Sequence, residues 1–250
     1  MKKIILLLIV SIFIFSCDND DISQAFNPKL KFTFNWDGEP VNLSDFNDIK
    51  YTNENGEQLS ITRLRYLISN ISLVNSSSDG TLVKDFNLVD LTNQLGLGFT
   101  ATTLLPITNY NAIKFTVGFN EEDNILEYPD LNIVNWNWNP NLGGGYHIMQ
   151  YEGLFINSIA EEKPYAMHLG TRKVSAGVYE PNHFEITLNF EENTVLNSDS
   201  EIEIQMNIAE WFKNPNTWDL NVLSAPLMPV YEAQVMMHEN GSTVFSVKVN

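Results

Sequence analysis

The 250-residue chain carries 31 acidic against 14 basic residues, a formal charge of −17, with 44% hydrophobic and 12% aromatic residues. That balance excludes a nucleic-acid partner, because such binding rests on Lys and Arg neutralising phosphates, and it offers no basic patch to anionic lipid. With one cysteine, Cys17, the chain has neither an intrachain disulfide nor a Cys-rich metal centre.

The chain opens on Met1-Lys2-Lys3, an apolar run from Ile4 to Phe15, then Ser16 and Cys17, the layout of an export signal. The run is shorter than the about 20 residues of a membrane-spanning helix. Ile14-Phe15-Ser16-Cys17 resembles the lipobox of bacterial lipoproteins, so residues 1–16 are expected to be a signal peptide and Cys17 a lipidated N-terminus anchored in a membrane. The following Asp18-Asn19-Asp20-Asp21 resembles the signal that sends Bacteroidota lipoproteins to the outer face of the outer membrane. The same acids would also suit a merely solvated tether on a periplasm-facing protein. Residues 17–27 read as that tether. Residues 28–250 read as one domain, since no linker or fixed-period repeat divides them.

Period-two alternation predicts strands at Leu30-Phe32-Phe34-Trp36, Leu64 to Leu73, Leu82 to Asp90, Ile113-Phe115-Val117-Phe119, Tyr146 to Ile156, Phe184-Ile186-Leu188-Phe190, Ile202-Ile204-Met206-Ile208 and Val244 to Val249. Asp37-Gly38, Asn55-Gly56, Asp79-Gly80 and Asn240-Gly241 read as turns between them. Helical signals are few: Ile208 to Lys213 before Asn214-Pro215, and short turns near Val41 to Phe46 and Glu121 to Asn124. Short, closely spaced strands without crossover helices imply an all-β antiparallel β-sandwich.

Catalytic signatures do not stand out. There is no G-x-S-x-G, no H-E-x-x-H and no nucleotide-binding glycine pattern, and no acid pair can be singled out, so a non-enzymatic role is expected. The informative stretch runs from Trp136 to Gly170. Trp136 and Trp138 share a strand face, and Asn139-Pro140-Asn141-Leu142-Gly143-Gly144-Gly145 can fold Tyr146, His147 and Met149 back beside them. His168 lies in Tyr165-Ala166-Met167-His168-Leu169-Gly170, where a buried imidazole needs a hydrogen-bond partner or a metal. Imidazoles beside indoles suit a soft ion such as Cu(I). Alternatively, Trp136, Trp138 and Tyr146 form an exposed aromatic platform for a glycan or protein. Met236 and Met237 beside His238 are a weaker soft cluster, because on a strand the two methionines point to opposite faces.

The succession Leu64-x-Tyr66-Leu67-Ile68-Ser69-Asn70, Leu88-Val89-Asp90, Phe115-x-Val117-Gly118, Trp136-x-Trp138, Gly145-Tyr146, Glu152-Gly153 and His168-Leu169-Gly170 resembles the MbnP-like proteins over about residues 28–249. The resemblance implies a copper-binding β-sandwich in which a partner dihaem peroxidase-like enzyme oxidises a tryptophan to kynurenine and two histidines complete the site. On that basis Trp136 is the modified tryptophan and His168 the downstream ligand. The chain departs from the methanotroph copper proteins at Trp138, where they carry a histidine; His147 is the candidate to replace it. The resemblance also implies a calcium ion. The expectation is therefore a monomeric, surface-anchored copper protein whose metal residues are Trp136, His147 and His168.

Overall fold

The computed structural model describes residues 25–250; Cys17, the export signal and the acidic cluster lie outside the described residues. Its main strands are β1 (Lys29–Trp36), β2 (Arg63–Asn75), β3 (Ser78–Asp90), β4 (Ala112–Val117), β5 (Met149–Ile156), β6 (Glu162–Leu169), β7 (Phe184–Asn189), β8 (Glu201–Asn207) and β9 (Phe245–Val249). They form a curled sandwich of a larger and a smaller sheet. Strand β2 organises the larger sheet. One edge pairs with β3, while the other pairs with β5 over Arg63–Tyr66 and then with β4 over Ile68–Val74; β6 extends the sheet beyond β5 and β7 extends it beyond β4.

The smaller sheet runs β9-β8-β1. Alternation buries Leu30, Phe32 and Phe34 of β1 and Ile202, Ile204 and Met206 of β8 against the larger sheet. Aromatic contacts bridge the two layers, with Tyr66 and Phe115 of the larger sheet at 5.6 and 5.3 Å from Phe245. The β1–β8 pair is parallel, with Leu30 opposite Ile202 and Phe32 opposite Ile204, which departs from the all-antiparallel expectation. Alternation within a strand is the same for either direction, so the sequence pattern does not distinguish them.

A second departure lies near the C-terminus. Residues Tyr231–Gly241, where Met236-Met237 suggested a strand and Asn240-Gly241 a turn, form helix α2. Its buried positions include Ala233, Met237 and Gly241 at helical spacing, but also Gln234 and Asn240, whose polarity masks the period. Gly241 is required by packing: a Cβ there would lie 2.7 Å from the Phe184 ring and 2.8 Å from the Trp211 indole.

Leu67 lies between the inward-facing Tyr66 and Ile68 in sequence but packs on the opposite side of the sheet. There it joins Phe119, Leu131, Trp136 and Tyr146 in a separate small core. The segment from residue 118 to 148, including the short helix α1 (Pro129–Ile133), supplies this second layer. It covers the outer face of the larger sheet.

Candidate functional site

Four polar residues stand side by side across that outer face. Strand register sets Asp90 of β3 opposite Arg65 of β2, Arg65 opposite Gln150 of β5, and Gln150 opposite His168 of β6. Arg65 Nε donates to Gln150 Oε1 at 2.7 Å, its Nη1 donates to the Val134 carbonyl at 3.3 Å, and the guanidinium lies 3.9 Å from Asp90 Oδ2. Two residues along, Arg63 faces Glu152, and Glu152 Oε1 accepts from both Arg63 Nη1 and His168 Nε2 at 2.7 Å. The His168 hydrogen bond, together with the Arg63 charge, holds the Glu152 pKa below its ordinary value against the opposing effect of burial.

A tight hairpin closes over this row. Asn137 bridges Tyr146, with Trp138 N donating to Gly145 O and His147 N to Trp136 O, each at 2.8 Å. The turn residues do what their types allow: Asn139 Oδ1 accepts from Asn141 N, Pro140–Leu142 form a 3-10 turn, and Gly143, Gly144 and Gly145 all have positive φ. Trp136 and Trp138, flanking the bridged Asn137, are 0% and 1% exposed.

His147 is the hub. Its ring centroid is 5.5 Å from Trp136, 4.9 Å from Trp138 and 5.3 Å from His168. Burial pushes its pKa down to about 4, ahead of the opposing hydrogen bonds to backbone at Trp136 and Asn137, and the nearby charges of His168 and Arg65 push the same way as burial. At neutral pH the imidazole is therefore uncharged. Its Nδ1 lies 3.1 Å from Trp136 O, and because a carbonyl only accepts, Nδ1 carries the proton and Nε2 the lone pair. His168 Nε2 lies 2.7 Å from Glu152 Oε1, and because a carboxylate only accepts, Nε2 donates and Nδ1 is the ring nitrogen that faces away from this bond.

Both tryptophans are held in place. The Arg65 guanidinium sits 4.9 Å from the Trp136 ring, and Trp136 Nε1 is buried with no hydrogen-bond partner among the described residues. Trp138 Nε1 donates to Leu142 O at 3.1 Å, and its indole lies against Gly170, where a Cβ would come within 2.5 Å of the ring. Gln234 locks the neighbouring strand end, donating to His168 O and accepting from Gly170 N. Gly153 is needed because a Cβ there would meet Ser60 O at 2.0 Å and the Tyr165 ring at 2.7 Å.

Trp136, His147 and His168 are thus brought together in one cluster, with Trp136 and His147 buried and His168 half-buried. Three of its neighbours, Arg65, Gln150 and Glu152, were not singled out as site residues from sequence; the available signal was an arginine inside the apolar run of β2 and the Glu152-Gly153 pair. The exposed platform is corrected, since Trp136, Trp138 and Tyr146 are all buried. The Met-His cluster is also corrected: His238 lies on a helix with Nδ1 3.1 Å from the Asn182 oxygens, and Met237 is buried in the main core. Among the described residues no group of three or more His, Cys, Asp or Glu is placed to hold a metal ion. The donors present are two imidazoles beside indoles, a set that suits a soft ion of low coordination number better than a hard cation.

The fold and this cluster define a class: β-sandwich proteins carrying a buried tryptophan–histidine centre under a hairpin on one sheet face. The sequence model of the MbnP family matches residues 25–234, and the chain belongs to that family. Among solved structures it is similar to MbnP from Methylosinus trichosporium, with a TM-score of 0.57 over 90% of this chain and 99% of that chain. The two are 12% identical, so this likeness concerns the fold. No curated protein matches the chain.

Proposed function

We propose that this MbnP-family protein is a non-catalytic, lipid-anchored protein of the outer-membrane surface that sequesters Cu(I) between His147 and His168 beside Trp136. The carrying observation is the pair of imidazoles 5.3 Å apart, each tethered through one ring nitrogen, His147 by Nδ1 and His168 by Nε2, with the other nitrogen of each left to serve as a donor. Glu152 and the Trp136 carbonyl act as the outer acceptors that fix ring orientation and tautomer, the usual support for metal-binding histidines. His147 would supply, from the second strand of the hairpin, the donor that Trp138 does not. In this reading Trp136 is the residue a dihaem peroxidase-like partner converts to kynurenine, and Cys17 carries the anchor.

Anaerobic titration with Cu(I) against a competing chelator tests the reading. One equivalent should bind to the wild type, and His147→Ala and His168→Ala should each abolish it while keeping the wild-type circular dichroism spectrum. A wild type that takes up no copper, whether or not intact mass shows kynurenine in place of Trp136, would sink the proposal.

A further inference from the structure

A cavity of about 280 Å³ lies on the outer face of the larger sheet, over β2, β4 and β7, and takes none of its lining from the tryptophan–histidine cluster. Two breaks in strand pairing coincide there. Between Lys114 and Thr116 of β4 the partner strand β2 runs from Ser72 to Ser69, so Phe115 faces one residue too many, and the pairing of β2 with β3 shifts between Ile71 and Ser72. Asn70, inside the first bulge, has φ 52, a left-handed conformation that asparagine tolerates better than most residues. Bulges of this kind re-aim side chains and gather beside binding sites. Asn70 and Ser72 both line the cavity.

Its base is polar and unspent. Thr116 is 5% exposed, yet its hydroxyl has no hydrogen-bond partner among the described residues, and the residue borders the cavity. Buried polar groups are almost always bonded, so a hydroxyl left open here is a donor for whatever enters. Lys114, half-buried, lines the same space as the exposed Glu185 and Asp79 but forms no ion pair with either. Register accounts for the separation. Glu185 stands opposite Thr116 and Thr187 opposite Lys114, which puts Lys114 and Glu185 on the diagonal, a spacing of about 7–8 Å for such pairs. A cation and a carboxylate thus stand at two ends of one cavity.

We infer that this cavity binds a small free α-amino acid with a polar side chain, its carboxylate held by Lys114 and the Thr116 hydroxyl and its ammonium by Glu185. Charge decides between ligand classes. A plain anion would meet Lys114 but also Glu185 and Asp79, on a chain of formal charge −17, and a plain cation would meet Lys114. A zwitterion satisfies both ends. Asn70, Ser72 and Asn120 give the ligand's side chain a wall of amides and hydroxyl, and the volume lies just below the roughly 300–1,000 Å³ of drug-sized sites. This site goes beyond the copper reading and stands or falls without it.

L-Serine is the probe, compared with ethanolamine, which lacks its carboxylate, and 3-hydroxypropanoate, which lacks its ammonium. Titration followed by NMR should shift the Thr116 methyl signal and the ring signals of His183, which also lines the cavity. Each analogue should bind at least about tenfold more weakly than serine, since each loses a charge-assisted hydrogen bond. Lys114→Met should weaken serine by about tenfold without weakening ethanolamine, and Glu185→Gln should weaken serine by about tenfold without weakening 3-hydroxypropanoate. Both variants should keep the wild-type circular dichroism spectrum. Unshifted signals at about 10 mM serine, the result expected if Lys114 and Glu185 only pair with each other, would overturn the assignment. So would either analogue binding as tightly as serine, or either variant binding serine as the wild type does.

Discussion

Gly170→Ala is the sharpest test of how the tryptophan–histidine cluster is packed. The new methyl carbon would sit 2.5 Å from Cδ2 and Cε3 of Trp138, about 1 Å inside the normal 3.5 Å carbon contact. Trp138 has nowhere to retreat: it is 1% exposed, its Nε1 is tied to Leu142 O, and the edge of His147 lies against it at 4.9 Å. Overpacking of this kind costs about 1–3 kcal/mol. Because Gly170 does not have a positive φ, alanine adds no backbone strain, and its stiffer unfolded chain returns about 0.4–1 kcal/mol. The net loss should be about 1–2 kcal/mol, a Tm decrease of about 2–8 °C for a domain of this size. Thermal and urea unfolding measure it, and a double-mutant cycle isolates its origin. In a Trp138→Ala background the same Gly170→Ala change should cost nothing, because the methyl then enters space the indole has left. A Gly170→Ala protein within about 0.5 kcal/mol of wild type, or an equal cost in both backgrounds, would refute the packing argument.

Arg65→Leu removes the cation between Gln150 and Asp90 and leaves the Asp90 carboxylate, its side chain 4% exposed, with only the bonds from Asn93. Breaking a buried pair costs about 3–5 kcal/mol, and the remaining Asn93 bonds bring the expected loss to about 3 kcal/mol by urea denaturation; a loss under about 1 kcal/mol would mean that Asp90 is hydrated without Arg65. Asp37 tests the acid limb of stability. Burial raises its pKa, but the hydrogen bonds from Lys213 and Asn207 and the Lys213 charge outweigh it and hold the value below 3.8. Its stabilising effect is therefore present above pH 3.8 and lost as pH falls through the lower folded value. Asp37 has φ 49, which asparagine tolerates, so Asp37→Asn should keep the turn and lose under about 1 kcal/mol at pH 7, with the gap to wild type closing as acid is added. A gap that persists or widens in acid would show that the carboxylate is not responsible.

The layers of this molecule were legible where one residue type decides the outcome. Alternation in Leu30-Phe32-Phe34 and Ile202-Ile204-Met206 marks inner faces whatever strand lies next door, and the glycines after Asn139 mark a turn because all three adopt positive φ. Helix α2 was hidden because its buried face includes Gln234 and Asn240, which are buried for their hydrogen bonds to His168 O and Trp211 O. The polar row was hidden for a different reason. Asp90, Arg65, Gln150 and His168 are neighbours only through the register of four strands, and a shift of one residue in any of them would turn its member inward.

Trp138 shows how the hairpin accommodates a large indole beside His147. An indole at this position brings an apolar ring and one N–H that must find an acceptor, and the hairpin provides both: Gly170 leaves room for the ring, and the 3-10 turn presents Leu142 O to Nε1. His147 reaches this indole from across the bridge. His147 N pairs with Trp136 O, the same carbonyl that receives its ring Nδ1, so one backbone oxygen sets both the strand pairing and the imidazole orientation. The larger neighbour also removes water from His147 and contributes to the burial that pushes its pKa down to about 4. Trp138 and His147 are therefore coupled: shrinking the indole should raise the His147 pKa toward its ordinary value of 6.5 as solvent enters. An imidazole titration by NMR in Trp138→Ala that leaves His147 unprotonated down to pH about 4 would show that the backbone of Trp136 and Asn137, not the indole, excludes the water.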